Sequence, residues 1–428
     1  MRRNRPRLPA VALAVAVALL LALTQVALAV GAPPPGAAAE ESPAVAAETA
    51  GTGTDAVVVR NETNTTNYLA IPSETVERER FGNETLDVAG TIAADATRLH
   101  GRHESRTFSR SFSDADESAR VALVRNETVH IETRIEELKQ RQRRALAAFN
   151  DGSIDAHRLL RRLVAVHVEA RQLERRLRAV RRASQRAVGF RLPNDLLTRI
   201  DNFRAELVPV RGRVRAHVGR VMDGSHNSTS VYVLTSQQGL VLGTVDDRTF
   251  FREAYLADSR RPGAPDQFED GELRRISVAN QRAAELYPWT YSIPPPPSVR
   301  AFGDSSVYNV SDTHPHGELV AYLDGATEDA YREFQIKRLA TLPTRNITAS
   351  NGTLRLRVDR THATGPMRLS VLRAATDRPV DATVTVNGQT VGTTGSDGQL
   401  WTVAPHDAVR IEARTAAGDV VRVQFFAR

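Results

Sequence analysis

The 428 residues carry 57 Lys plus Arg against 50 Asp plus Glu, a formal net charge of +7, and no cysteine. That excludes disulfides, thiol catalysis and a cysteine-linked lipid anchor. Lysine occurs only at Lys139 and Lys337, so lysine-based chemistry is excluded almost everywhere.

Arg2, Arg3, Arg5 and Arg7 precede an apolar run from Leu8 to Val30 that contains Ala27-Leu28-Ala29. This is the layout of a signal peptide, and the run is also long enough to serve as an uncleaved membrane anchor. Both readings of residues 1–30 place the rest of the chain outside the cytoplasm, because arginines stay on the inner side. Residues 31–86 read as a flexible stalk, first rich in Ala, Pro, Gly and Glu, then polar.

A helical bundle is expected over 87–224. After a shorter helix at 87–103, Val121, Val124, Thr128, Ile131, Ile135, Leu138, Gln142, Ala145 and Phe149 alternate by three and four. Leu159, Leu163, Val166, Ala170, Leu173, Leu177 and Val180 keep the same beat. Such a repeat marks a coiled-coil seam. Asn150-Asp151-Gly152-Ser153 is so short a connection that the two helices must be antiparallel neighbours. A third helix at 195–222 continues the seam, with Pro209 expected to kink it.

The positive charge is concentrated in this bundle. Residues 139–188 hold 13 Arg and one Lys against four acids. Arg158, Arg162, Arg171, Arg175, Arg176, Arg178 and Arg182 form a basic face, read either as the solvated side of the coil or as a docking surface. The docking partners that suit it are an acidic envelope component, an acidic glycan or an anionic lipid surface. Nucleic acid is not expected, because the bundle is placed outside the cell and residues 150–189 hold no aromatic side chain for stacking. Replacing Leu163 or Leu173 by Asp should unfold the bundle, whereas Arg176→Gln should not.

An internal repeat spans 229–343. Ser230-Val231-Tyr232, Gly239, Leu240-Val241-Leu242, Asp246 and Thr249 have counterparts in Ser306-Val307-Tyr308, Gly317, Leu319-Val320, Asp324 and Thr327. Each copy reads as strand, turn, strand and helix, with helices near 248–256 and 327–339 capped by Asp246 and Asp324. A further helix is expected at 276–286. From 350 to 428 the pattern is alternating strands, with Asn387-Gly388 as a hairpin turn.

Of 15 asparagines, eight stand in N-x-S/T: Asn61, Asn64, Asn83, Asn126, Asn227, Asn309, Asn346 and Asn351. Chance would give roughly two. All but Asn126, inside a long helix, are glycosylation candidates.

Pro379-Val380-x-Ala382-x-Val384-x-Val386-Asn387-Gly388, then Gly392-Thr393-Thr394, Asp397-Gly398 and Pro405, resembles carboxypeptidase-regulatory-like β-sandwich modules. The resemblance implies a non-catalytic surface domain. The whole layout, with Tyr322-Leu323-Asp324-Gly325-Ala326-Thr327, resembles exported haloarchaeal surface proteins of unknown function.

No metalloprotease, P-loop, nucleophile-elbow or dinucleotide-binding pattern is present. His100 with His103, and His314 with His316, lack a third ligand and are read as structural. No catalytic, cofactor-binding or metal residue is assigned, and no cofactor is expected. The expected fold is a multidomain α+β protein: an N-terminal antiparallel helical coiled-coil bundle, a duplicated ββα domain and a C-terminal β-sandwich. The expected function is that of a non-enzymatic, N-glycosylated cell-envelope protein with a structural or interaction role, secreted or held at the surface by one N-terminal transmembrane helix. The alternative is a ligand-binding or sensor module with its cleft between the two copies of the repeat.

Overall fold

The helices begin where the sequence supplies caps. Asp87, Asp116 and Asp155 accept hydrogen bonds from the amides of Gly90, Ala119 and Arg158 at 3.0, 2.8 and 2.8 Å. Each cap satisfies a donor that a helix start leaves without an intrahelical partner. The computed structural model describes residues 59–268, 271–303 and 305–427. The expected leader or anchor at 1–30 and residues 31–58 of the expected stalk lie outside them. Among the described residues, no helix is long and apolar enough to cross a membrane.

Residues 59–86 are folded, which corrects the stalk reading for that part. Strands β1 (Val59–Arg60) and β2 (Tyr68–Leu69) pair with each other, and β3 (Val76–Glu84) pairs along a later strand of the main sheet. The charged run Glu77 to Arg80 hides this strand in the sequence, because edge strands tolerate charge.

The bundle consists of α1 (Val88–Asp114), α2 (Glu117–Asn150), α3 (Ala156–Arg186), α4 (Asn194–Glu206) and α5 (Arg213–Met222). Helix α1 runs well past the expected end at His103. Gly152, at φ 83°, makes the turn between α2 and α3. These two run antiparallel: Glu127 meets Arg176, and Arg141 meets Glu169. Every expected contact position of α2 from Val124 to Phe149 is buried. Pro209 does more than kink the third helix, since residues 207–212 leave helical geometry and separate α4 from α5. A mid-helix proline removes a backbone donor and clashes with the preceding turn. One apolar cluster joins Ile131, Ile135 and Leu138 to Leu173, Leu177, Leu196, Ile200 and Phe203. A second joins Leu159, Leu163, Val214 and Val218 to Val231, Val233, Leu240 and Leu242 of the sheet.

The sheet follows from β4 (Thr229–Ser236), β5 (Gly239–Asp246) and β6 (Thr249–Leu256). After α6 (Glu272–Leu286) and the short α7 (Pro288–Tyr291) come β7 (Ser298–Ala301), β8 (Val307–His314), β9 (Gly317–Asp324) and β10 (Asp329–Arg338). Eight antiparallel strands lie in the order β3-β4-β5-β6-β10-β9-β8-β7. The ββα reading of each repeat is therefore wrong in its third element: residues 249–256 and 329–338 are strands, not helices. Asp246 and Asp324 consequently cap no helix. β6 and β10 are hydrogen-bonded neighbours, so the junction of the two meanders is continuous sheet rather than a cleft.

These two central strands are buried on both faces and carry charge on both. On one face Arg252 pairs with Glu333 at 2.9 Å; on the other Arg332 pairs with Glu253 at 3.3 Å. Arg215 of α5 adds a second bond to Glu253 at 2.8 Å. All five side chains are fully buried. Buried ions persist when they are paired and hydrogen-bonded. Arg252 reaches Leu69 and Thr364, and Arg332 reaches the carbonyl of Arg211, so the pairs bridge the sheet to its neighbours on both sides.

The terminal sandwich is formed by β11 (Arg345–Ser350), β12 (Leu354–Arg360), β13 (Pro366–Arg373), β14 (Thr383–Val386), β15 (Gln389–Thr393), β16 (Gln399–Val403), β17 (Ala408–Arg414) and β18 (Val420–Phe426). The two four-stranded sheets are β11-β12-β13-β16 and β15-β14-β17-β18. Asn387 and Gly388, at φ 49° and 78°, form the expected hairpin turn. Val403 packs with Tyr232, Phe250 and Leu323 in the core of the eight-stranded sheet, so the sandwich docks on the sheet face opposite the bundle.

Candidate anion-binding groove on the helical bundle

Helix α3 sets Arg158, Arg161, Arg162, Ala165, Val168 and Glu169 along one side at spacings of three and four. Beside it α1 offers Ala89, Gly90, Ala93, Ala94 and Thr97, a row of small side chains that leaves room. Arg141, Arg144 and Ala145 of α2 and Gly219, Met222 and Asp223 at the end of α5 complete a cavity of about 740 Å³. Its floor is Ala, Val and Met; its rim holds six arginines against the carboxylates of Asp87, Glu169 and Asp223.

Half of those arginines are tied. Arg161 forms an ion pair with Asp87, and Arg141 and Arg98 bond Glu169 and Asp95, each at 2.6 Å. Arg144, Arg158 and Arg162 meet no carboxylate among the described residues. They stand exposed at the mouth. An exposed apolar ridge lies on the same helix as the small residues: Val88, Ile92 and Leu99 of α1, with Leu86 just before it, are each at least 60% exposed.

The expected basic face is divided by the structure. Arg158, Arg162, Arg171, Arg175, Arg178 and Arg182 are exposed. Arg176 is not: it is buried and bonds Glu127 at 2.7 and 2.9 Å and Glu104 at 2.8 Å. It is removed from the docking face, and the expectation that Arg176→Gln leaves the fold intact is withdrawn. The seam repeat could not show this, because the two carboxylates come from α1 and α2. Glu174 gathers Arg171, Arg178 and Arg211 at 3.1, 2.7 and 2.6 Å. Burial pushes its carboxyl up, but Arg211 and Arg178 outweigh this and the net direction is down. Arg175 is held below the usual arginine range by burial and by repulsion from Arg171 and Arg98. One carboxylate thus serves three guanidinium groups, and Arg175 and Arg182 meet no carboxylate among the described residues.

Sequence reasoning missed Arg98, Arg141 and Arg144 as partners of this face. The excess of arginine over 139–188 was a signal for two of them, but not the packing of α1 beside α3. The other candidates fall as follows. Asn61, Asn64, Asn83, Asn227, Asn346 and Asn351 are exposed, as is Asn126, and Asn309 is half-buried on β8. His314 and His316 bond the hydroxyls of Thr66 and Thr65 at 3.4 and 3.1 Å, and His316 stacks on Trp289. Burial draws His314 down to about 4, so it stays neutral at neutral pH. His100 is exposed and pairs with Glu104 at 3.3 Å.

Comparison with known families divides the chain along these structural lines. Residues 10–227, just over half of the chain, match a domain of unknown function, DUF7096. The chain belongs to the DUF7096 family. Within the described residues the DUF7096 segment is the bundle with β1–β3, and it lends β3 to the sheet that follows. Residues 231–343, the rest of that sheet, match a family of unknown function, DUF7094. Residues 345–422 match an archaeal fibronectin-III type-like domain, so the terminal sandwich is of an archaeal kind. No curated protein and no solved structure matches the chain.

Proposed function

We propose that this chain is a non-enzymatic, N-glycosylated protein of the archaeal cell envelope that docks the arginine groove of its DUF7096 bundle onto anionic lipid headgroups. In this reading the protein is exported and lies outside the cytoplasm, secreted or tethered by its N-terminal segment. The α2–α3 pair acts as a coiled-coil spine, and the two meanders are copies of one unit. The resemblances to exported haloarchaeal proteins and to carboxypeptidase-regulatory-like modules belong to the same reading.

The observation that carries it is the mouth of the groove. Arg144, Arg158 and Arg162 lack carboxylate partners among the described residues, over a small apolar floor and near the exposed Leu86, Val88, Ile92 and Leu99. Basic groups near an anionic membrane gain about 1 kcal/mol each, and apolar side chains add insertion at the interface. Six exposed candidate asparagines support placement outside the cytoplasm.

Sedimentation with vesicles tests this. Vesicles rich in phosphatidylglycerol should bind the protein, and vesicles of phosphatidylcholine should not. A soluble acidic polysaccharide that binds while anionic vesicles do not would replace the lipid surface with a glycan partner. Binding to neither would overturn the docking reading.

A further inference from the structure

His217, His226 and Asp246 converge where the end of α5 meets β5 and β6. His217 lies on α5 and is 1% exposed, yet neither of its ring nitrogens makes a hydrogen bond. Nδ1 of His226 is likewise buried without a partner. Buried polar atoms in this state are uncommon and call for a cause. Nδ1 of His217 stands 3.5 Å from Oδ2 of Asp246, and Nε2 of His226 stands 3.8 Å from the same oxygen. One donor atom from each residue fits within a span of 4.8 Å.

These separations are too long for hydrogen bonds. They suit ligands of a common ion. Zinc bonds of about 2.0–2.1 Å in a tetrahedron put neighbouring ligand atoms about 3.3 Å apart. We propose that His217, His226 and Asp246 bind a divalent transition-metal ion of the zinc class. Two imidazoles and one carboxylate favour such an ion over calcium or magnesium, which prefer oxygen.

The local fold holds this geometry. Gly224 ends α5, and the amides of Ser225 and His226 return to the carbonyl of Arg220 at 2.9 and 3.1 Å, which swings His226 back toward the helix. Phe251 of β6 stacks on the His217 ring at a centroid distance of 5.5 Å and fixes its plane. Asp246 ends β5, where the sequence suggested a helix cap. Burial, with repulsion from Arg220 and His226 and against attraction from Asp246, draws His217 down to about 4. The side chains of His226 and Asp246 are 30% and 37% exposed, so they have room to adjust and close on an ion.

The test uses the full chain without an affinity tag, stripped with EDTA and dialysed against zinc chloride. Mass spectrometry for metals should find one zinc per chain, and calorimetry should give a single site. Cobalt in its place should show the visible bands of a four-coordinate ion. His226→Ala and Asp246→Asn, both at partly exposed positions, should lower affinity at least tenfold with circular dichroism unchanged. The double variant His314→Ala with His316→Ala should bind zinc like the wild type. No stoichiometric zinc, or zinc lost only in the His314/His316 variant, would overturn the proposal.

Discussion

The seam between α2 and α3 and the β6–β10 pair are both buried, antiparallel and central, yet they are built from different chemistry. The helices meet through Ile131, Ile135, Leu138, Leu173 and Leu177. The strands meet the layers on either side through Arg252, Glu253, Arg332 and Glu333, all fully buried. A seam of apolar residues tolerates change in proportion to the volume and polarity altered. A buried ion pair responds differently: losing one partner strands a charge, whereas replacing both by apolar groups can be neutral. The bundle is thus held by shape, and the sheet is tied to its neighbours by charges that must remain paired.

The largest effect should come from putting a charge into the seam. Leu163→Asp leaves a carboxylate without a partner in the apolar contact between bundle and sheet and should cost about 5 kcal/mol or more. Circular dichroism would show the loss of helix; a variant with full helix content would break the seam assignment. Glu333→Ala comes next, at about 3–5 kcal/mol, because Arg252 stays buried alone. The same change also removes the bonds from the Leu69 amide and the Tyr287 hydroxyl, both at 2.9 Å. The comparison sharpens in the double variant Arg252→Met with Glu333→Leu, whose chemical denaturation should recover the part of that loss due to the stranded charge, while the Leu69 and Tyr287 groups stay unpaired.

Arg176→Gln should cost about 2 kcal/mol, less than Glu333→Ala because Glu104 is partly exposed and stays solvated once the guanidinium is gone. An unchanged midpoint would return Arg176 to the solvated face.

A further effect is set by pH. His314, buried against Thr66, is drawn from 6.5 down to about 4 by burial and by Lys337. A base with a depressed folded value binds fewer protons folded than unfolded between those limits. Stability should therefore be full above pH 6.5 and fall as pH drops toward 4. His314→Gln should flatten that slope in thermal melts, and an unchanged slope would remove His314 as its source.

These contrasts also explain what could be read from the sequence. The boundaries of α2 and α3 were legible because Asp116 and Asp155 cap them and the buried positions are apolar at a helical period. β14, β17 and the Asn387-Gly388 turn were legible because strict alternation and a positive-φ pair have few other readings. β6 and β10 were not. With both faces buried there is no polar–apolar alternation, and Arg252, Glu253, Arg332 and Glu333 make the segments resemble solvated helix. β3 was hidden by its own charges. The groove was half legible: the arginine count located α3, but the small residues of α1 matter only once the two helices lie side by side. Arg176 shows the limit of a single-helix reading, since its partners lie on two other elements.

The most direct test of the docking account is flotation of the triple variant Arg144→Gln, Arg158→Gln, Arg162→Gln with phosphatidylglycerol vesicles at low and high salt. These arginines are exposed and meet no carboxylate among the described residues, so helix content and melting temperature should match the wild type. The account predicts at least a tenfold loss of vesicle affinity and a weaker salt dependence. Wild-type affinity in a folded triple variant would contradict it.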